Sequence, residues 1–390
     1  MQRTDLPERV VFLTDDLPYP PHGGGKLRDF CILELLRDIV PVQILAFHGD
    51  PETPAPENVA IRVIPREPPG LKRVFFPLRP YIVNGFSSRM AEALEKNSRP
   101  NQILWCSRLL MGKYLNLAKT LGYRTVLDEH NVESSLLFQS ALSNVKTWPH
   151  LFLALQSRHY EKVFCETADQ VIAVSRSDAG QLRRLAPGAT VEVLPNCLDT
   201  ESYRRPQGTT NQSGILFTGT LSYEPNREGL TWFVEQVLPI LKNRISPALF
   251  PRIRVAGANP SPVFIQFLRQ NGLEVIVNPV SMVPLLEEAE IIIVPLLSGS
   301  GTRLKIMEAF SVGKSVVSTE LGAEGLELNS GDGLLIASDP NGFAEEILKL
   351  IHNPSLRKEL EKKALQIAKT RFDWRLHREF LKNFLSQVMK

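Results

Sequence analysis

Short apolar runs alternate with helically spaced stretches along nearly all of the chain. In the first half they stand at Val10–Leu13, Val42–Ala46, Ala60–Ile64, Ile103–Cys106, Thr125–Leu127, Val171–Val174 and Val191–Leu194. A second set begins at Ile215–Phe217 and continues through Ile253–Ala256, Val275–Val277, Ile291–Val294, Val316–Ser318 and Leu334–Ile336. Runs this short, separated by helix-length segments, predict buried strands of parallel sheets with helices as the crossovers. Between the two sets, residues 195–214 are rich in Asn, Gln, Thr, Arg and Gly and lack periodicity, which marks a connection. The expected fold is therefore α/β. Two Rossmann-like domains, 1–198 and 214–370, are joined by a linker at 199–213, and their parallel sheets face each other across a cleft. Ligand is expected outside the carboxyl ends of the strands.

Composition narrows the function classes. The 390 residues carry a formal charge of only +3, too small to argue for a nucleic-acid partner. Cys31, Cys106, Cys165 and Cys197 are widely spaced and form no CxxC pair, which reads as buried thiols in a reducing compartment. The stretch Met1–Val10 is charged and lacks the apolar core of a secretory leader, and no run reaches the length of a spanning helix. A cytoplasmic protein is expected.

The most informative segment runs from Ile291 to Ser318: a buried strand, a small-residue turn, an amphipathic helix and another buried strand. Gly299, Ser300 and Gly301 allow a ligand to approach bare backbone, and the helix that follows offers unpaired N–H groups to an anion. Glu308 lies about two turns into that helix, a distance that suits a ribose if phosphates sit at the helix start. Lys305 stands three residues before Glu308 and shares its helix face. The blander account makes Glu308 a solvated helix residue and the glycines an ordinary α/β turn. Gly313-Lys314-Ser315 is no Walker loop, because the required first glycine would stand at 308; it is a helix C-cap.

The first half offers two further candidates. Gly23-Gly24-Gly25 opens a helix after the first strand and permits close approach to a diphosphate or sugar, although flexible loops use such runs too. Lys26 and Arg28 either add positive charge there or form a solvated helix start, and Asp15-Asp16 reads as a turn cap rather than a metal site. Val126-Leu-Asp-Glu-His130-Asn-Val-Glu-Ser134 ends a buried strand with a polar cluster, where ligand-facing residues of a parallel sheet collect. His130 can donate a hydrogen bond or carry charge near neutral pH; alternatively, it and Asn131 only cap the next helix, with Glu133 countering the dipole.

The 291–318 segment resembles the second half of the Glu-x7-Glu motif of retaining glycosyltransferases of the GT-B fold, family four (glycosyl transferases group 1). Ala168–Ser175 with Leu194–Asp199, Phe217–Asn226, Asp128–Glu133 and Arg371–Trp374 resemble further pieces of the same family, in the same order. The resemblance implies transfer of a hexose-type sugar from a nucleoside diphosphate sugar, with retention, to a saccharide or lipid-linked saccharide acceptor of a cell-surface or exported polysaccharide. It implies no cofactor and no metal. Catalytic contacts fall on His130, Gly24 and Gly25. Donor contacts fall on Glu308, which binds the ribose, and on Gly299, Ser300, Gly301, Thr302, Arg303, Leu304 and Lys305. Asn278, Pro279 and Val280 fall on the nucleobase loop, and 371–390 on a helix crossing back to the first domain.

Two departures bear on the chemistry. Ser300 stands where the family has its first glutamate, which holds the donor sugar hydroxyls. Thr220 stands where it has a diphosphate-binding arginine, and the lysine region reads Asn226-Arg227-Glu228-Gly229. Arg227, Arg303 or Lys305 is expected to supply the missing charge, Lys305 ahead of Arg303. A nucleotide-sugar epimerase on the same fold and a non-catalytic nucleotide-sugar binding protein are the alternative readings. Gly70–Ile82 mixes basic, aromatic and proline residues, which suits either a peripheral contact with the inner face of a membrane or packing under a loop.

Overall fold

A computed structural model of the chain describes residues 6–21, 24–67, 86–143, 149–203, 214–299 and 303–390. The chain divides into two compact units. One comprises the described residues up to Asn196 together with His377–Lys390, and the other runs from Cys197 to Leu376.

The first unit is built on a sheet of β1 (Arg9–Asp16), β2 (Val42–His48), β3 (Val59–Val63), β4 (Gln102–Ser107), β5 (Arg124–Glu129), β6 (Gln170–Ala173) and β7 (Val191–Val193). Its order is β3-β2-β1-β4-β5-β6-β7 and every pairing is parallel. The second holds β8 (Ile215–Thr218), β9 (Ile253–Gly257), β10 (Glu274–Val277), β11 (Ile291–Val294), β12 (Ser315–Ser318) and β13 (Leu334–Ile336), ordered β10-β9-β8-β11-β12-β13 and again all parallel. Both sheets thus repeat one doubly wound order. In each, the order reverses at one place, between β1 and β4 and between β8 and β11. That switch point is where doubly wound sheets bind ligands.

The central strands are mostly apolar and buried because helices cover both of their faces. All of β4, β11 and β12 is buried. In the first unit Phe12 stacks on Trp105, and Trp105 meets Phe384 edge-on at 6.1 Å. Phe384 belongs to helix Arg378–Val388, so the last helix of the chain supplies core to the first unit. Leu198 pairs with Asp373 as an isolated parallel bridge, and Arg375 bonds Asp199 at 2.7 Å.

Asp15 and Asp16 form no turn cap. They are the last two residues of β1, which stays in register with β2 as far as Asp16 opposite His48. Asp15 pairs with Arg66, and Asp16 lies 3.9 Å from Lys26.

Candidate active site

In the second unit the switch point is lined by two βα connections. After β8 the chain turns through Gly219 and Thr220 into helix Glu224–Trp232; after β11 it passes Gly299 into helix Leu304–Ser311. Gly299 has φ 96°, a left-handed conformation that glycine adopts without strain. The Arg303 guanidinium donates to the carbonyls of Gly299 at 2.8 Å and Leu321 at 3.0 Å, which ties this turn to the short helix Glu320–Ala323. Glu324 lies 3.8 Å away, and burial lowers the Arg303 pKa.

Lys305 and Glu308 project from the helix that follows. The Lys305 amine donates to Asn226 Oδ1 at 2.8 Å and lies 4.3 Å from the centre of the Phe217 ring. Asn226 Nδ2 donates to the Thr220 carbonyl at 2.8 Å. A Cβ on Gly219 would stand 2.9 Å from Asn226 Nδ2 and 3.2 Å from Lys305 Nζ, so only glycine leaves this pair undisturbed. Burial, reinforced by Arg303, lowers the Lys305 amine to about 7, against the pull of Glu308. Glu308 accepts from the Tyr203 hydroxyl at 3.1 Å; burial raises its pKa, with Tyr203 and Lys305 opposing. An amine and a carboxylate, both poorly hydrated and each held by a neutral partner, share one helix face at the switch point.

In the first unit a buried cluster gathers at the carboxyl ends of β4 and β5. Arg28, on helix Gly24–Arg37, donates to Asp128 from Nη2 at 2.5 Å and from Nε at 3.1 Å. Its third nitrogen reaches the Leu194 carbonyl at 3.0 Å and Asn196 Oδ1 at 2.8 Å. His130 Nε2 lies 3.3 Å from Asp29, 3.6 Å from Asp128 and 3.2 Å from the Ser107 hydroxyl, which itself donates to Asp29 at 2.6 Å. Burial disfavours the imidazolium, yet the two carboxylates outweigh it and the His130 pKa is raised. Asp128 is driven to about 2: burial opposes ionisation, and Arg28 and His130 overcome it.

Asp29, Asp128 and His130 present ligand atoms within 4.8 Å of one another, the spacing of a metal site. Arg28 already grips Asp128, and His130 sits against both carboxylates. The cluster is balanced by protein cations and offers a divalent ion little net charge.

Two family models match the chain. Residues 32–202 match Glycosyltransferase Family 4, and residues 212–353 match Glycosyl transferases group 1. Each half of the chain thus matches a glycosyltransferase domain model, and the fold is GT-B. A solved structure of sucrose-phosphate synthase from Thermosynechococcus elongatus superposes with a TM-score of 0.73 at 15% identity, covering 97% of this chain and 99% of that one. HepE from Anabaena, solved in complex with UDP, gives 0.69 at 14% identity over 97% of this chain and all of its own. A curated relative from Klebsiella pneumoniae, described as an uncharacterized 44.6 kDa protein in the cps region, is 22% identical, with 94% of this chain and 96% of that protein covered.

Within the two units the expected residues fall as follows. Glu308, Lys305, Leu304, Gly299 and the backbone of Thr220 gather at the second switch point, while Ser300, Gly301 and Thr302 lie outside the described residues. Arg227 is turned to Glu224 at 3.2 Å, one helical turn earlier, and over the Phe264 ring; Asn226, not Arg227, meets the lysine. Asn278 has φ 48° and accepts from the Asn259 N–H at 3.0 Å, tying together the loops after β9 and β10. Pro279 follows half-buried, and Val280 is 99% exposed.

His130 joins the first cluster. Arg28 is neither solvated nor a spare positive charge, being 3% exposed and bound to Asp128. Gly24 starts the helix as expected, and Gly23 lies outside the described residues. Gly25 faces another side chain: a Cβ there would come within 2.3 Å of the Arg108 guanidinium. Arg108 has φ 70°, ψ 156°, a backbone conformation that costs a non-glycine residue about 1–3 kcal/mol and concentrates at functional sites. The basic and aromatic segment Gly70–Ile82 lies outside the described residues, and among those described no helix is long and apolar enough to cross a membrane.

Arg108, Asn226 and Tyr203 escaped the sequence reading. Only Asn226 had a signal, since it occupies the position where a lysine region was sought.

Proposed function

We propose that the protein transfers a sugar from a nucleoside diphosphate sugar to a saccharide or lipid-linked saccharide, with retention of anomeric configuration. The observation that carries this reading is the pairing of Lys305 and Glu308 on one helix face at the second switch point. The amine suits diphosphate oxygens, and the carboxylate suits ribose hydroxyls one turn further along. A carboxylate has about four acceptor sites, of which Tyr203 takes one. HepE has been solved with UDP and with UDP-glucose, which favours a donor of the same chemical class here.

The reading gives His130 the role of a hydrogen-bond donor. Held by Asp29 and Asp128, its imidazolium suits the charge that develops as the diphosphate departs. Retention in this reading needs no enzyme nucleophile, because the leaving diphosphate accepts the acceptor's proton on the face it vacates. The protein supplies orientation and charge.

Titration calorimetry with UDP, GDP, ADP and TDP tests the donor half. One of them is expected to bind, and Glu308→Ala should weaken that binding by the roughly 1.5–3 kcal/mol of a charged hydrogen bond, about 10- to 150-fold. Unchanged affinity refutes the ribose assignment. Incubating the matching nucleotide sugar without acceptor, then following its anomeric proton signals, separates a transferase from an epimerase: only the latter converts the sugar.

A further inference from the structure

We infer that Asn226 is a positioning residue that aims the Lys305 amine, brought from the neighbouring βα unit, at the donor diphosphate. The inference rests on the donor reading above and adds a part to it. Where the resembling family places a lysine region, this chain has an asparagine, and the lysine arrives from another helix to meet it.

The geometry fixes the direction of every contact. Asn226 is 5% exposed, and its Nδ2 donates to the Thr220 carbonyl, so Oδ1 must face the amine; the flipped amide would set oxygen against oxygen and N–H against N–H. The Phe217 ring lies 4.3 Å from the amine on β8, the strand that leads into Gly219. Gly219 lacks the Cβ that would crowd both partners. An ammonium carries three donors, and Asn226 takes one.

The neutrality of Asn226 matters as much as its position. An aspartate at that place would form an ion pair with the amine and cancel the charge a diphosphate requires, whereas the amide holds the amine and leaves its charge uncompensated. The charged groups around Lys305 are Arg303 and Glu308 on its own helix. On helix Glu224–Trp232, Glu224 pairs with Arg227, and Glu228 accepts from the Ser298 hydroxyl. Burial and Arg303 hold the amine at about 7. A bound diphosphate favours the protonated form, so binding takes up a proton above that pH.

The test is calorimetric titration of the full chain with UDP, or with whichever diphosphate in the panel binds, between pH 6 and 9 in buffers of different ionisation enthalpy. In the parent, affinity should fall as pH rises beyond about 7, with measurable proton uptake. Asn226→Ala should lose about tenfold and Asn226→Asp more, the latter with the pH limb moved upward. Gly219→Ala displaces the pair without removing a polar group and should act in the same direction. Lys305→Met should flatten the lysine limb, and Asn226→Ala on that background should cost nothing further. Asn226→Ala binding within twofold of the parent, or losing as much without Lys305 as with it, overturns the inference and leaves the donor reading standing. A parent that binds none of the diphosphates overturns both.

Discussion

Removing the Arg28 guanidinium should destabilise the first unit more than any comparable change at its surface. Arg28→Met leaves a stem of similar length but strands the Asp128 carboxylate, which is fully buried among Asp29, Ser107 and His130. The depression of Asp128 from an ordinary 3.8 to about 2 corresponds to about 2–3 kcal/mol of differential stabilisation. Breaking a buried pair from one side costs roughly 3–5 kcal/mol, because the remaining charge keeps its desolvation penalty. For a unit of this size that is on the order of 6–20 °C in the melting transition.

The sign of the pH dependence follows from the depressed value. In the parent, this stabilisation is present above about 3.8 and is lost as pH falls through about 2. Without Arg28 the buried carboxyl protonates readily, so the gap between variant and parent should shrink from pH 7 to pH 4. The assay is thermal unfolding by circular dichroism across that range, with the double variant Arg28→Met, Asp128→Leu as control. The apolar pair should recover most of the loss. A loss below about 1 kcal/mol at pH 7, or a gap that widens in acid, refutes the reasoning.

Two further outcomes are expected. Glu161 is buried beside Glu129, and burial, with Glu133 adding to it, raises Glu161 to about 7 against the hydrogen bonds from Ser134. A raised carboxyl contributes stability that is full below its ordinary 4.5 and lost as pH rises through about 7. Glu161→Gln should therefore stabilise at pH 8.5 by up to about 3 kcal/mol and have little effect near pH 4.5; parallel melting curves for the two proteins would contradict this. Phe384→Ala empties the contact against Trp105 in a side chain that is 2% exposed, and should cost about 3–5 kcal/mol in denaturant unfolding. A loss below 1 kcal/mol would mean that the last helix does not form part of the first unit's core.

The strands were legible because each is short and mostly apolar, and the central ones are covered on both faces, so position along the chain and burial carry the same message. All thirteen apolar runs fall on strands to within one residue at their ends. What escaped the sequence is long-range pairing. Arg28 looked like a helix-start charge because Asp128 stands 100 residues away, and Tyr203 lay inside a polar segment read as a linker, 105 residues from Glu308. Asn226 and Lys305 are 79 residues apart. Local patterning records which face of an element is apolar; it holds no trace of which polar group will arrive from another element. Arg227 misled for a related reason, since a basic residue beside the sought position already had Glu224 one turn away on its own helix.

The contrast between the two cations of the donor turn decides which of them is available to an anion. Arg303 and Lys305 are two residues apart, and composition gives no reason to separate them. Arg303 is 6% exposed and donates to the carbonyls of Gly299 and Leu321, so moving it onto a phosphate would forfeit both bonds, at roughly 0.5–1.5 kcal/mol each. Lys305 donates to an amide oxygen and lies on an aromatic face, both neutral, and its burial makes the bare ammonium expensive. A phosphate oxygen arriving there relieves that cost, while the same oxygen at Arg303 must first break the turn. In the proposed reading the arginine braces the turn and the lysine meets the diphosphate, so Arg303→Lys should disorder the turn, whereas Lys305→Arg should retain part of the diphosphate affinity.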